Sequence, residues 1–368
     1  MKFDLNDVQR ELQKMVRRFA TEHLQERRES IIRGESGYDD VLWRRLAVDL
    51  GVVGLTIPED RGGSGASAIE AVIALEELGG VCAPLPAVST MTAVEVLART
   101  DSDAAGETLA AVASGEARIG LPVDWADVSP SVSASTSGDG SLRVSGKLLV
   151  PHAAELTHLL LTAPGNERMV IVALRAPEVA IAATDTLDLT QPIGAIELVE
   201  APCIALTSQR DDLASTAREF GALYLAADSL GVARWCLQVA VEWSKEREQF
   251  GRPIGVNQAL KHMCADALVD IETAAVLTYY AAFALNGGHD DADVYVSLAK
   301  HQATDAADLA ARQAIQILGG IGFTWEHHAH LYLRRAKANV ALCGDRDHPL
   351  GRVAEAICAP YELSAGVR

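Results

Sequence analysis

The sequence predicts an α+β fold in three parts: a helical N-terminal domain, a small middle domain of short strands, and a C-terminal bundle of long helices. Three observations carry this. Apolar residues recur at helical spacing through the first third of the chain. Near Arg118 the texture changes to short alternating segments rich in Val, Thr, Ser and Gly, and it keeps that character to about Leu206. Beyond Ser208 a helical period returns and runs on for unusually long stretches. The expected boundaries are 1–117, 118–206 and 207–368. A chain of 368 residues suits two or three units of that kind.

In the first third, Leu5, Val8, Leu12, Val16 and Phe19 repeat at steps of three and four, which predicts one apolar helix face. Asn6 followed by Gln9 reads as a capping box. A second helix carries Leu42, Trp43, Leu46 and Leu50 and stops in the turn-rich stretch IPEDRGGSGAS, Ile57 to Ser67. Ser67 with Glu70 forms another S-x-x-E cap, opening a helix that runs to Gly79-Gly80. Pro84 and Pro86 prevent continuation, and a further helix is expected from about Thr90 to Ser114. In the middle region SLRVSGKLLV, THLLLTA and MVIVALRA read as strands separated by GDG and PGN turns. Leu213 to Ser244, Asn257 to Leu285 and Asp291 to Leu318 then read as three long helices, with a shorter one from His327 to Leu342. Helices of about 30 residues greatly exceed the usual 11–12, and antiparallel packing with short loops explains them. The small residues Ala303, Ala306, Ala307, Ala310 and Ala314 suit close helix approach and subunit contacts.

Composition narrows the function. Hydrophobic residues make up 49% and charged residues 22%, enough to build large cores. With 32 basic and 50 acidic residues the net charge is −18, which repels nucleic-acid backbones but leaves room for a phosphate-bearing cofactor met by a few local cations. None of the six cysteines lies in a C-x-x-C pair, which suits free thiols in a reducing cytoplasm. MKFDLNDVQREL carries no apolar secretory core, and the longest apolar run, near Ala274 to Leu285, is shorter than the ~20 residues a membrane helix needs. A cytoplasmic protein without a membrane partner is expected.

Four motifs invite chemistry. GGSGAS (Gly62 to Ser67) and GGIGFTW (Gly319 to Trp325) are glycine-rich, but neither completes G-x-G-x-x-G after a strand, so a Rossmann site is not supported. REQFGRPIGVNQ, Arg247 to Gln258, sets a cation, an aromatic ring and two glycines at a helix end. Arg247 offers charge to a pyrophosphate, Phe250 a ring to a purine, and Gly251 room for backbone approach; a plain turn between helices fits the same residues. His327, His328 and His330 crowd together near Asp345, Asp347 and His348. A metal needs ligands on one face, and adjacent His327 and His328 cannot both supply it from a helix, so a solvated helix edge is expected and no metal site. No G-x-S-x-G motif is present.

Together these segments resemble the acyl-CoA dehydrogenases over nearly the whole chain. FDLNDVQRELQKMVRRFA is similar to the family's opening helix, and LWRRLAVDLGVVGLTIPEDRGGSGASAIEAVIALEELGG to its second signature. REQFGRPIGVNQALKHMCAD resembles the R-x-x-F-G-x-x-I-x-x-x-Q segment, and QILGGIGFTWEHHAHLYLRRAK the Q-x-x-G-G-x-G-F-[ST]-x-E segment. The resemblance implies a helical N-domain, a β-barrel-like middle domain and a C-terminal four-helix bundle, assembled as a tetramer. It implies α,β-dehydrogenation of an acyl-CoA thioester, with a carboxylate taking the α-proton, FAD taking the β-hydride, and an electron-transferring flavoprotein as acceptor. It further implies that Arg247, Phe250, Gln316, Gly319 and Gly320 bind the adenine end of an FAD held mainly by the neighbouring chain.

The catalytic side departs from that pattern. The position of the commonest family base is Cys343, followed by Gly344, and the alternative position is Gly221, followed by Ala222. A thiol with an ordinary pKa near 8.5 is a poor replacement for a carboxylate. Glu219, Asp345 and Glu326 are nearby carboxylates, but a shift of one or two residues on a helix swings a side chain by ~100° or more. The flavin-cradling segments depart too: the first becomes LPVDWADVSPSVSA, Leu121 to Ala134, where Ser129, Ser131 and Ser133 find no clear counterpart, and the second becomes Leu148, Leu149 and Val150. These losses beside an intact adenine-side segment resemble the smaller, non-catalytic partner of heteromeric acyl-CoA dehydrogenases, including those that shorten steroid side chains. Three functions stay open: a subunit that completes the FAD site of a catalytic sister chain in a heterotetramer, a self-sufficient homotetramer with Asp345 or Glu219 as base, and a flavin-free acyl-CoA-binding or scaffold protein.

Overall fold

A computed structural model describes residues 4–32, 39–100, 102–124, 132–138, 140–164, 168–208, 212–344 and 347–362. The N-terminal part opens with α1 (Asp7–Phe19), and its capping box is formed: the Asn6 side chain accepts from the Gln9 amide and the Gln9 side chain accepts from the Asn6 amide, both at 2.9 Å. Of its five apolar positions Val16 and Phe19 are buried, whereas Val8 stands in solvent. The first turn projects beyond the body that the last turns cover. A π-helical turn, Ala20–Leu24, joins α1 to α2 (Gln25–Ile32). Next come α3 (Asp40–Arg44), which buries Trp43, and a turn at Ile57–Ser67. Gly63 is required in that turn, since a Cβ there would lie 2.2 Å from the Ile57 carbonyl oxygen. The Ser67–Glu70 box opens α4 (Ala68–Gly79).

The single helix expected from Thr90 to Ser114 is two, α5 (Ala87–Ala98) and α6 (Asp103–Ala113). The first ends at Arg99 and Thr100, where Thr100 Oγ1 donates to the Leu97 carbonyl at 3.0 Å in place of a further helical turn.

The middle part comprises β1 (Ile119–Gly120), β2 (Val132–Thr136), β3 (Leu142–Pro151), β4 (His158–Ala163), β5 (Arg168–Ala173), β6 (Val179–Ala183) and β7 (Ile193–Ala205). The strand path is β1-β4-β5-β7-β3-β2, with β6 also paired to β7. Long β7 serves both halves, pairing with β3 and β6 along most of its length and with β5 through Cys203 to Ala205. Alternate residues of five strands, among them Val144, Leu148, Leu159, Val170 and Ile196, meet in one core round which the sheet curls.

The C-terminal part holds α7 (Leu213–Glu246), α8 (Gln258–Gly287), α9 (Ala292–Leu318) and α10 (Ala329–Ala341). A fifth helix, α11 (Asp347–Glu362), was not anticipated from the sequence pattern. Asp212 caps α7, accepting from the Ala214 and Ser215 amides. The alanines of α9 need correcting: Ala303, Ala306, Ala307, Ala310 and Ala314 are all buried inside this chain. Their small side chains let α9 lie close against α7, so they make intrachain packing and not a subunit contact. Among the described residues one helix, α8, is long and apolar enough by length and composition to cross a membrane; it lies in the bundle against α7 and α9.

The three parts meet at Arg335 of α10. Its guanidinium donates to Asp188 at 2.6 Å and Thr190 Oγ1 at 2.8 Å, both in the loop before β7. It also donates to Asp228 of α7 and to the Ala83 carbonyl beyond α4, each at 3.1 Å. Asn339, one turn on, donates to the other Asp228 oxygen at 2.7 Å. The arginine and both carboxylates are almost fully buried. Arg335→Met would leave two carboxylates without their cation, so stability to urea is expected to fall by about 3–5 kcal/mol. The alternative, a loss below about 1 kcal/mol, would mean that water already screens the cluster.

Candidate functional site

Two regions contain the residues singled out above, at different places on the bundle. The first is its end where α7 and α9 both stop. Arg247 leaves the helix with extended backbone while its N–H still bonds the Trp243 carbonyl at 2.9 Å. A short hairpin follows, β8 (Glu248–Gln249) and β9 (Arg252–Pro253), turning through Phe250 and Gly251. Both have positive φ, 53° and 75°. Two successive left-handed residues make the tight turn that suits a two-residue hairpin, but a bulky ring is an outlier at the first of them. The ring gains no packing in return, being 101% exposed.

The second half of this edge is the end of α9. Gly319 stops the helix at φ 67°, ψ −138°, with Gln316 exposed one turn earlier. A Cβ added at Gly319 or Gly320 would meet nothing within 4 Å. Trp243 and Val239 of α7 pack with Ile315 and Leu318 of α9 and with Leu333 of α10, which holds hairpin and glycine turn at one end. Arg247, Phe250, Gln316, Gly319 and Gly320 are thus brought to one exposed edge. The donor set fits the adenine-diphosphate portion of FAD: a guanidinium for phosphate, a ring for a purine face, an amide, and bare backbone.

The flavin side does not fit as well. Leu148 and Val150 point into the core of the sheet, and Leu149 is 48% exposed. None of the three offers a hydroxyl or an aromatic ring. Ser129 and Ser131 lie outside the described residues; Ser133, on β2, is exposed, with its Oγ directed to the Ser145 carbonyl at 3.4 Å.

The second region surrounds the two positions expected for a base. The fold brings them together, since Cys343 Sγ contacts the Arg218 carbonyl at 3.6 Å, one turn before Gly221 in α7. Cys343 is buried with φ 58°, and its amide donates to the Val123 carbonyl at 3.2 Å. The cleft beside it measures only about 30 Å³. That admits about one water molecule, where sites for small organic ligands run to roughly 300–1,000 Å³. Its walls carry Arg218, Glu219, Asp293, Lys300 and Arg352. Glu219 accepts from Ser215 Oγ at 2.8 Å, and burial pushes its carboxyl above the usual range, with Ser215 and Arg352 opposing. Asp345 lies outside the described residues, and Glu326 is exposed in the turn before α10.

Lys300 was missed by motif reading. The available signal was a cation on an alanine-rich helix whose neighbours three and four residues away, Val296, Ala303 and Thr304, are buried. The histidines point elsewhere: His328 Nδ1 lies 3.1 Å from an Arg28 nitrogen and the His330 ring sits edge-on to Trp325. Burial lowers the pKa of His327, His328 and His330.

Comparison with known proteins follows the same lines. Residues 6–116 match the family description "Acyl-CoA dehydrogenase, N-terminal domain", and residues 212–358 match "Acyl-CoA dehydrogenase, C-terminal domain". The chain is similar to acyl-CoA dehydrogenase IpdE2 of Mycobacterium tuberculosis, at 33% identity over 84% of each chain. Similarity to acyl-CoA dehydrogenase FadE34 of the same organism reaches 37% identity over 90% of this chain, which spans only 45% of that relative. Two solved structures share the fold closely. They are a Tcur3481-Tcur3483 steroid ACAD variant (29% identity, TM-score 0.88) and the ChsE4-ChsE5 complex from Mycobacterium tuberculosis (27%, 0.87), each matched over 97% of this chain and 99% of the other.

Glu219 gives this region a pH signature. Its carboxyl binds a proton more tightly folded than unfolded, because burial raises its pKa above the ordinary 4.5. Stability from this group is therefore greatest below that value and falls as pH rises through it towards the folded pKa. Glu219→Gln keeps an acceptor for Ser215 and should flatten that fall. Urea midpoints measured from pH 4 to 7 for both proteins check it, and parallel curves would contradict it.

Proposed function

The chain belongs to the acyl-CoA dehydrogenase family, and on that premise we propose that it is a non-catalytic subunit, completing the FAD site of a catalytic sister chain in a heterotetramer. One contrast carries the reading. The adenine-side edge is intact and open, whereas the positions for a base hold Cys343 and Gly221 beside a cleft of about 30 Å³. FAD, when bound, supplies the acceptor for the hydride leaving the acyl β-carbon. This chain's part is to hold the far end of that cofactor. Arg247 neutralises pyrophosphate charge, Phe250 covers the adenine, Gln316 offers an amide, and Gly319 and Gly320 let the cofactor reach the backbone. The sister chain supplies the base and the flavin cradle.

The exposed surface supports a covering partner. Phe250, Phe323 and Trp325 stand out at the bundle end, at 101%, 77% and 59% exposure, while Leu268, Val269 and Val276 project from α8. Apolar surface of that extent favours association. The names of similar structures support two unlike chains and a steroid-derived acyl-CoA: one is a complex of ChsE4 with ChsE5, the other a steroid ACAD with a paired name. FadE34 has length left for a second unit of this size. A cytoplasmic setting and an electron-transferring flavoprotein as acceptor accompany this reading.

The test is flavin content. The chain purified alone should carry little FAD and should show no bleaching with octanoyl-CoA under anaerobic conditions. Co-expression with a sister chain that has glutamate at the Cys343 position should give about half as many FAD as chains. Arg247→Ala should then weaken FAD retention by about 10- to 100-fold, the worth of a charge-assisted hydrogen bond. Full flavin and rapid bleaching by the chain alone would replace this reading with a self-sufficient enzyme using Glu219. No FAD with any sister chain would leave a flavin-free scaffold.

A further inference from the structure

Arg28 of α2 is fully buried, yet among the described residues no carboxylate pairs with it. Neutral groups meet its guanidinium. One nitrogen donates to the Val81 carbonyl at 3.0 Å and to the Tyr332 hydroxyl at 2.9 Å, another lies 3.1 Å from His328 Nδ1, and Nε has no partner. A guanidinium only donates, so Nδ1 accepts and the ring's proton sits on Nε2. That contact admits the neutral imidazole alone. Nε2 faces the part-exposed Glu29 carboxylate at 3.8 Å. The other titratable groups nearby are His327 and His330 of the same segment, the Tyr332 hydroxyl, and the Cys82 thiol beyond α4; burial holds the last two neutral. Trp235 of α7 stacks on Tyr332 at 3.5 Å and closes that side without a charge.

His328 is the N-cap residue of α10. Its neighbour Ala329 is buried against Ile315 and Leu318, the last turn of α9, and against Ile321 of the glycine turn. The imidazole thus stands between α2 and the Gly319-Gly320 edge. A proton on Nδ1 would set donor against donor beside a buried cation, and the imidazolium would turn to Glu29 instead. We propose that His328 is an acid-sensitive latch: neutral, it ties α10 to α2 and steadies the Gly319-Gly320 edge; protonated, it releases Arg28, the edge loosens, and this chain's hold on the sister chain's FAD weakens. The cofactor clause rests on the shared-FAD reading, whereas the latch stands on this chain alone. Burial and Arg28 lower the His328 pKa, with Glu29 opposing. Its contribution to stability is therefore present above the ordinary 6.5 and is lost as pH falls through that value towards the folded one.

Hydrogen exchange read by mass spectrometry on the full chain from pH 7.5 to 5.5, corrected for the intrinsic effect of pH, tests it. Protection of residues 25–32 and 319–332 should fall several-fold, up to about tenfold, the limit that one proton on an ordinary histidine sets at the lower pH. His328→Asn supplies an acceptor oxygen near the place of Nδ1 and takes up no proton, so it should keep its protection throughout. Glu29→Gln, a surface change, removes the carboxylate that favours the charged ring and should move the loss to lower pH. Equal protection at both ends of the range in the unmodified chain would overturn the latch, as would an equal loss in His328→Asn. Should His328→Asn fail to fold, Glu29→Gln decides, an unchanged midpoint counting against the latch. With a sister chain, FAD retention should weaken by a similar factor over the same range, and not in His328→Asn. FAD held equally at both pH values while the edge loosens would overturn the link to the cofactor. No FAD with any sister chain would end the shared-cofactor reading and leave the exchange result to judge the latch.

Discussion

A single buried guanidinium sets the relation between the three parts of this chain. Arg335 is held by the loop before β7, by α7 and by the backbone beyond α4, each contributing an acceptor to its guanidinium. The planar fork of arginine admits few arrangements of those partners, so it fixes direction as well as distance. Two carboxylates outnumber one cation there, and Asn339 together with the Thr190 hydroxyl takes up the remaining acceptor capacity. Both functional regions hang from this helix. Upstream of α10 lies the Gly319-Gly320 turn, and downstream lies Cys343.

That common anchor serves two regions with opposite properties. At the bundle end the backbone is bare, the side chains are extended into solvent, and a strained residue carries an unpacked ring. Near the base positions the Cys343 thiol and the Lys300 ammonium bond backbone carbonyls, and the charged groups beside them border a space about the size of a water. The residues proposed to meet the cofactor lie on surface that another chain can reach, whereas the positions expected for a base border a cleft of about 30 Å³.

Much of this was legible in the sequence. Both capping boxes, the change to strands near Arg118 and the three long helices follow from local chemistry, namely polar caps, alternation and periodicity. The residues proposed for the adenine side stand out because they sit in two short contiguous segments whose composition is unusual. What escaped notice is partly local and partly dependent on distant parts of the chain. The break between α5 and α6 follows Thr100, whose hydroxyl bonds the Leu97 carbonyl within a stretch of otherwise good helix formers. The alanines of α9 pattern alike whether they face a helix of their own chain or of another. Lys300 belongs to no motif, since its meaning comes from two carbonyls more than forty residues away.

The Phe250 hairpin bears on how the chain survives in a cell. A fully hydrated ring on left-handed backbone, with Phe323, Trp325 and the apolar residues of α8 also in water, is a surface that sticks to whatever covers it. Copies made ahead of their counterpart would carry that surface uncovered, open to aggregation and degradation, and copies that find it promptly would be spared. On the heterotetramer reading, the abundance of the protein follows its ratio to another polypeptide, through a ring carried on a two-residue turn.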